Sequence, residues 1–231
     1  MCYSFRTSII SYILGISSAI FAILTKQIVL GVLILAYSQM QLTEMLIWYG
    51  IDTENENINR IGTSYGKYLL ATHNFAIGLG ILLYISCVKK DKLKYTDFIP
   101  IVAGILFFIF VVCVYYIRND YEDLTYPLDR NCSDTTNKCQ NPNNRLKWSW
   151  PHHWYIFSFI ISIIILVFYI EPFESKCWML SIFGITFLYM LIFNTNVMGS
   201  LWCFSTAILA PLIVIVNYFL IKGYDTKDIL T

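Results

Sequence analysis

Seven stretches of this chain are long and apolar enough to cross a bilayer: roughly residues 8–25, 28–50, 68–88, 98–117, 154–170, 177–195 and 199–221. A helical span needs about 20 mostly apolar residues. Lipid satisfies no backbone polar group, so continuous apolar runs of this kind cross it as helices. Of the 231 residues, 57% are hydrophobic and only 13% charged, against roughly 25% charged in soluble domains. That is too little polar side chain to coat a soluble globule. The expected fold is all-α: one polytopic domain over 1–231, a seven-helix bundle in the lipid bilayer.

The connections are short except for one external loop, 118–153, which is polar and rich in asparagine. Loops alternate between two sides, and Lys and Arg divide evenly between them. "KKDKLK" is the one tight cationic cluster, and short loops weigh most in the positive-inside rule. Asn131-Cys132-Ser133 is a glycosylation sequon. A disulfide between Cys132 and Cys139 in the same loop would need an oxidising compartment. These signals put the N-terminus outside and the C-terminus in the cytoplasm. Ser17-Ser18-Ala19 also reads as a cleavage site, but a cleaved leader would put "KKDKLK" outside, so the first run is taken as a span. A net charge of +1 without a basic stripe argues against a nucleic-acid partner. Cys87, Cys113 and Cys177 lie in or beside apolar runs and read as packing residues.

Against this background Glu44 stands out. A carboxylate near a bilayer centre costs about 2.5–3.5 kcal/mol or more. Gln41, Glu44 and Trp48 recur at one-face helical spacing, so this face is expected to look into the bundle. With helix three starting near Lys67, His73 falls about 9 Å below the outer surface, the same depth as Glu44. A Glu44–His73 pair is the expectation. Cys2, His152, His153, Trp202 and Cys203 belong to the same outer third. Two readings of this set stay open. It is helix-to-helix hydrogen bonding with interfacial histidines and packed cysteines, or it is a polar pocket. A pocket of Glu44 and His73 with Cys2, Cys203 or His153 offers thiolate and imidazole ligands suited to zinc or copper. It would also admit a small-molecule or lipid ligand. A proton or ion channel or transporter using Glu44 and His73 is the first alternative. A receptor-like or structural, viral, membrane protein that binds through loop 118–153 is the second. Serines 4, 8, 11 and 18 read as close helix packing.

The segments "MCYSFRTS", "QLTEMLIW", "YLLATHNF" and "GSLWCFSTAIL" resemble an uncharacterised family of small bacterial and viral multi-span membrane proteins. Its members begin Met-Cys-Phe-Ser, carry Gln-x-x-Glu-Gly-x-x-Trp in span two and end with Ser-x-Trp-Cys-Phe in the last span. The resemblance covers spans one to three and seven. It implies Cys2, Ser4, Gln41, Glu44, Trp48, His73, Trp202 and Cys203 as motif residues. Met40 replaces a second Gln and Met45 a usual Gly. The family implies no reaction. Other seven-span classes fit poorly: the last run has no Schiff-base lysine, and the apolar runs contain no Asp and one clearly internal His.

Overall fold

The computed structural model describes residues 4–117, 124–127, 146–147, 177, 181, 184, 188 and 209–222. The described chain is mostly helical, and four helices are long and apolar enough to cross a membrane, as expected of a membrane protein. They are α1 (Phe5–Leu24), α2 (Ile28–Asp52), α3 (Glu56–Tyr84) and α4 (Ile99–Ile117). A shorter apolar helix, α5, covers Leu209–Lys222. Among the described residues the strands are one antiparallel pair, β1 (Tyr126–Pro127) with β2 (Leu146–Lys147), in which Tyr126 faces Lys147 and Pro127 faces Leu146. Of the run 177–195 only four helical positions are described, and 154–170 lies outside the described residues.

Helix ends follow from local chemistry. Ser4 caps α1 by accepting from the Thr7 N–H at 3.2 Å, and Asn55 caps α3 by accepting from the Ile58 N–H at 3.3 Å, satisfying donors that a helix N-terminus leaves open. The exits from α1, α2 and the π-helical turn after α3 each use one left-handed residue: Lys26 (φ 64°), Glu54 (φ 53°) and Lys90 (φ 54°). Pro100 sits in the first turn of α4, where its missing N–H costs nothing.

Two serines inside the apolar helices are absorbed by their own backbone. Ser18 donates to the Leu14 carbonyl and Ser38 to that of Ile34, each at 2.7 Å. This back-bonding is how a hydroxyl survives in lipid or in a bundle core. The small residues Ser8, Ser11, Gly15, Ser18, Ala19 and Ala22 form the buried face of α1. At its centre a Cβ on Gly15 would overlap the Ser38 side chain, so α1 and α2 meet at a close small-residue crossing. The serines of α1 therefore serve packing.

α2 is the central helix. It is buried against α1 on one side and α3 on the other, and a third stripe, Leu30, Ile34, Tyr37, Gln41, Glu44 and Trp48, is buried between them. α4 lies on the other side of α3 and exposes Val102, Ile105, Leu106, Ile109 and Phe110, an apolar surface too large for water. Cys87, Cys113 and Cys177 are free and exposed, which corrects their assignment to the packed interior.

The largest departure from expectation concerns residues 51–67. They are the last two residues of α2, a three-residue turn at 53–55 and the first three turns of α3. The segment is polar, but one face of it is buried rather than solvated: Asn59, Thr63 and Lys67 are each 9% exposed or less. A Cβ on Gly50 would meet the Asn59 backbone, and one on Gly62 would meet Ile47. Small residues on facing turns let the two helices stay in contact beyond the apolar span of α3, which begins at Ala71.

Candidate functional site

Three close approaches fix how α2 and α3 lie against each other. Gly50 meets Asn59, Gly62 meets Ile47, and Gly80 meets Val29. All three belong to one antiparallel register, in which each step up α2 is a step back along α3. His73 then falls level with Ala36, and it hydrogen-bonds the Ala36 backbone. Its ring packs on Tyr37, with centroids 4.3 Å apart. Glu44 falls level with Tyr65, about 12 Å further along the axis at 1.5 Å per residue.

The expected Glu44–His73 pair is therefore not formed. The equal-depth argument failed because α3 begins at Glu56 and not near Lys67. His73 lies deep in the span, and Glu44 lies near the end where α2 closes and α3 begins. One metal ion cannot be held by both, since zinc bonds its ligands at about 2.0–2.3 Å. Among the described residues no group of three His, Cys, Asp or Glu side chains could hold a metal. The other proposed ligands, Cys2, His153 and Cys203, lie outside the described residues, as do His152, Trp202, the Cys132–Cys139 pair and Asn131.

What the structure does bring together is one polar stripe. Gln41, Glu44 and Trp48 are all completely buried on the third face of α2, so the face predicted from their spacing looks into the protein. Lower on the same stripe, Tyr37 leads to His73, which is 5% exposed and whose Nε2 has no hydrogen-bond partner. The α1–α2 register, set by Gly15 on Ser38 and Phe5 stacked on Tyr49 at 5.8 Å, brings Ser8 to the level of Met45. Ser8 is fully buried and its Oγ has no partner.

Below His73 the interior turns apolar. Leu30, Leu33, Ile34, Ile77 and Ile81 pack in one cluster with Ala210, Ile213 and Val214 of α5. Polar groups return only at the far end. There the Gln27 side chain donates to the Val214 carbonyl at 3.2 Å and accepts from Asn217 Nδ2 at 2.7 Å. The described interior is thus polar in the half toward the α2–α3 turn, apolar in the middle and polar again at the end of the α1–α2 turn.

The end of the α2–α3 turn carries a second polar cluster. Asn59 Nδ2 donates to the Thr125 carbonyl at 2.8 Å, and the Thr125 N–H donates to Asn59 Oδ1 at 3.0 Å. One side-chain amide thus satisfies both backbone groups of Thr125, as a neighbouring strand would. The Thr63 hydroxyl lies 3.0 Å from both Asn59 Oδ1 and Thr125 Oγ1. Beside it, Leu146 of β2 is buried in a cluster with Ile47 and Trp48. Thr125 and Leu146, two described points of loop 118–153, are in this way held over the end where α2 closes and α3 begins.

Sequence reasoning missed Asn59, Thr63, Lys67, Gln27 and Asn217. Asn217 had a visible signal, a lone amide in "LIVIVNYF". Asn59 and Lys67 had none, because polar residues in a polar segment look solvated.

The register makes a direct prediction. With Glu44 and His73 about 12 Å apart along the axis, a double-mutant cycle of Glu44→Gln and His73→Ala should be additive in unfolding free energy to within about 0.5 kcal/mol. A coupling above about 1 kcal/mol, measured by denaturant titration in detergent, would show that the two share a network after all.

Comparison of the chain with protein-family models, with curated proteins and with solved structures finds no match to any of the three.

Proposed function

We propose that the chain is a seven-span membrane protein, N-terminus outside and C-terminus cytoplasmic, that binds a polar ligand in the outer half of its bundle through Gln41, Glu44 and the Tyr37–His73 pair. The observation that carries this is a carboxylate with no solvent exposure in an apolar helix. Ionisable groups in spans are costly and tend to serve substrate or ion pathways. A carboxylate and an imidazole nitrogen accept hydrogen bonds and the Gln41 amide both donates and accepts, so the ligand class is one that carries hydrogen-bond donors, cationic or neutral.

The parity of the chain supports seven spans. Thr125, after four apolar helices, bonds Asn59 near the start of α3. Asn217 in α5 bonds Gln27 at the opposite end of the bundle. A chain that starts α1 at the outer end and finishes α5 at the inner end crosses an odd number of times. The two unassigned apolar runs, 154–170 and 177–195, give that count. α5 joins the cluster of Leu30 and Ile34 through Ala210, Ile213 and Val214.

The apolar layer between His73 and Gln27 argues for a site reached from one side over a path through the membrane. Two measurements on purified protein test the reading. Native mass spectrometry of protein released from nanodiscs should find a small co-purifying ligand on the wild type and at least tenfold less on Glu44→Gln. Proteoliposomes should show no Glu44-dependent proton or cation flux. Equal ligand occupancy in the two proteins, or flux abolished by Glu44→Gln, would overturn the proposal, the second in favour of a transporter.

A further inference from the structure

The inner end of the bundle is lined by cations, and neither the polar site nor the fold requires them. Lys26, Lys89, Lys90, Lys92, Lys94 and Lys222 are all exposed. Lys26 closes the α1–α2 turn. The next four occupy the α3–α4 connection. Lys222 ends α5 and lies 5.8 Å from the Tyr218 ring centroid, with Tyr218 in turn 5.9 Å from Phe21 at the end of α1. The described acids at this end are Asp91 and Asp97, and Asp97 already caps the short helix Tyr95–Phe98 by accepting from the Lys94 N–H at 2.7 Å. The described part of the outer end is mixed instead, with Arg6, Arg60 and Lys67 against Asp52, Glu54 and Glu56.

The α3–α4 connection is more than a solvated charge run. Lys90 adopts a left-handed conformation that stops the helix, and apolar side chains then alternate with the lysines. Leu93 is 43% exposed and Tyr95 97% exposed. A large aromatic with no protein contact sits poorly in bulk water and well at the headgroup level. The level is set by α3 and α4, whose apolar spans end at Lys89 and begin at Tyr95. Lysines at that depth face phosphate and carboxylate headgroups directly.

We propose that Lys89–Tyr95 is a docking segment for anionic phospholipid headgroups of the leaflet at this end, with Lys26 and Lys222 extending the cationic rim. Leu93 and Tyr95 enter the interface, and the ammonium groups pair with the headgroups. Each lysine so placed strengthens binding to an anionic leaflet about fivefold, from the ~1 kcal/mol that a basic residue gains near such a surface.

The test uses the full chain, purified and delipidated in a neutral detergent, titrated with dioctanoyl phosphatidylserine or dioctanoyl phosphatidylcholine and read as retained lipid by native mass spectrometry. Phosphatidylserine should bind at least tenfold more tightly than phosphatidylcholine, and raising salt from 50 to 200 mM should narrow the gap. Replacing Lys89, Lys90, Lys92 and Lys94 together by Gln should erase the preference, and replacing all four by Arg should keep it. Because lysine loss can also alter insertion during synthesis, acetylation of purified wild-type protein provides a second route and should erase the preference as well. Equal affinity for the two lipids, an unchanged preference after the Gln substitutions, or displacement by millimolar inorganic phosphate or poly-glutamate would overturn the proposal. The first two would leave no headgroup site, and the last would point to a bare anion site or an acidic protein partner.

Discussion

Gly78→Leu should abolish the folded protein, and Gly104→Leu should do the same. α3 and α4 touch backbone to backbone at these two positions. A Cβ on Gly78 would meet Ile101 and Pro100 main-chain atoms, and one on Gly104 would lie 2.6 Å from the Phe75 backbone. Flexible side chains can move away from an added methyl, but two helix backbones cannot without separating the helices. Gly78→Ala should therefore already cost about 1–3 kcal/mol. Leu at either site would need helix separation along α4, which has few other anchors in the described bundle. The effect should spread, because α3 is shared. Gly78 faces α4, and Gly80, two residues on, faces Val29 of α2. Moving α3 to relieve one contact strains the other and displaces His73, which is held by Tyr37 and Ala36. Gly184 supplies the control, since a Cβ there meets no described atom within 4 Å, and Gly184→Leu should keep wild-type yield. Size-exclusion profiles and thermal midpoints of the purified variants check this. A monodisperse Gly78→Leu protein with the wild-type midpoint would refute the close crossing.

The first four spans were legible because their information is local. An unbroken apolar run fixes a helix in lipid whatever its neighbours are. The burial of Gln41, Glu44 and Trp48 was legible for a similar reason, since their spacing alone puts them on one stripe. Depth was not legible, and the Glu44–His73 pairing fell with it. Lys67 had served as the marker of the outer surface. It is in fact nearly buried, well inside a helix that starts at Glu56. The sequence from Asn55 to Lys67 reads as a loop because its residues are polar. It folds as a helix because Asn59 and Thr63 find partners in Thr125, more than sixty residues away, and because Gly62 permits contact with Ile47. Neither partner can be inferred from composition. Glycines announce close approach but not against what, and the register that separates Glu44 from His73 exists only once those approaches are known.

Asn59→Leu should release loop 118–153 from the outer end of the bundle. The Asn59 side chain is the sole described partner of the Thr125 N–H and carbonyl, and all three polar residues of the cluster are buried, with Thr125 and Thr63 at 0% exposure. Removing the amide leaves a buried donor and a buried acceptor unsatisfied, at about 1–3 kcal/mol each. Detachment of the segment into water costs less than keeping it docked, so the response should be local opening before global unfolding. Asn59→Asp should open it too. A carboxylate can still accept from the Thr125 N–H, but it offers the Thr125 carbonyl no donor and places negative charge against it. Thr125→Ala should be mild, about 0.5–1.5 kcal/mol, because both backbone bonds to Asn59 survive the loss of the hydroxyl. The ranking separates a backbone clamp from ordinary side-chain packing, in which Thr125→Ala would matter as much as Asn59→Leu. Limited proteolysis from the outer face reads it directly: cleavage within 118–153 should accelerate at least tenfold in Asn59→Leu and Asn59→Asp, and little in Thr125→Ala. Opening should also carry away Leu146, which packs with Trp48 one turn above Glu44. On the proposed function, Asn59→Leu should then lose the co-purifying ligand although it touches no site residue. Wild-type cleavage and wild-type stability in Asn59→Leu would show that the clamp does not hold the loop.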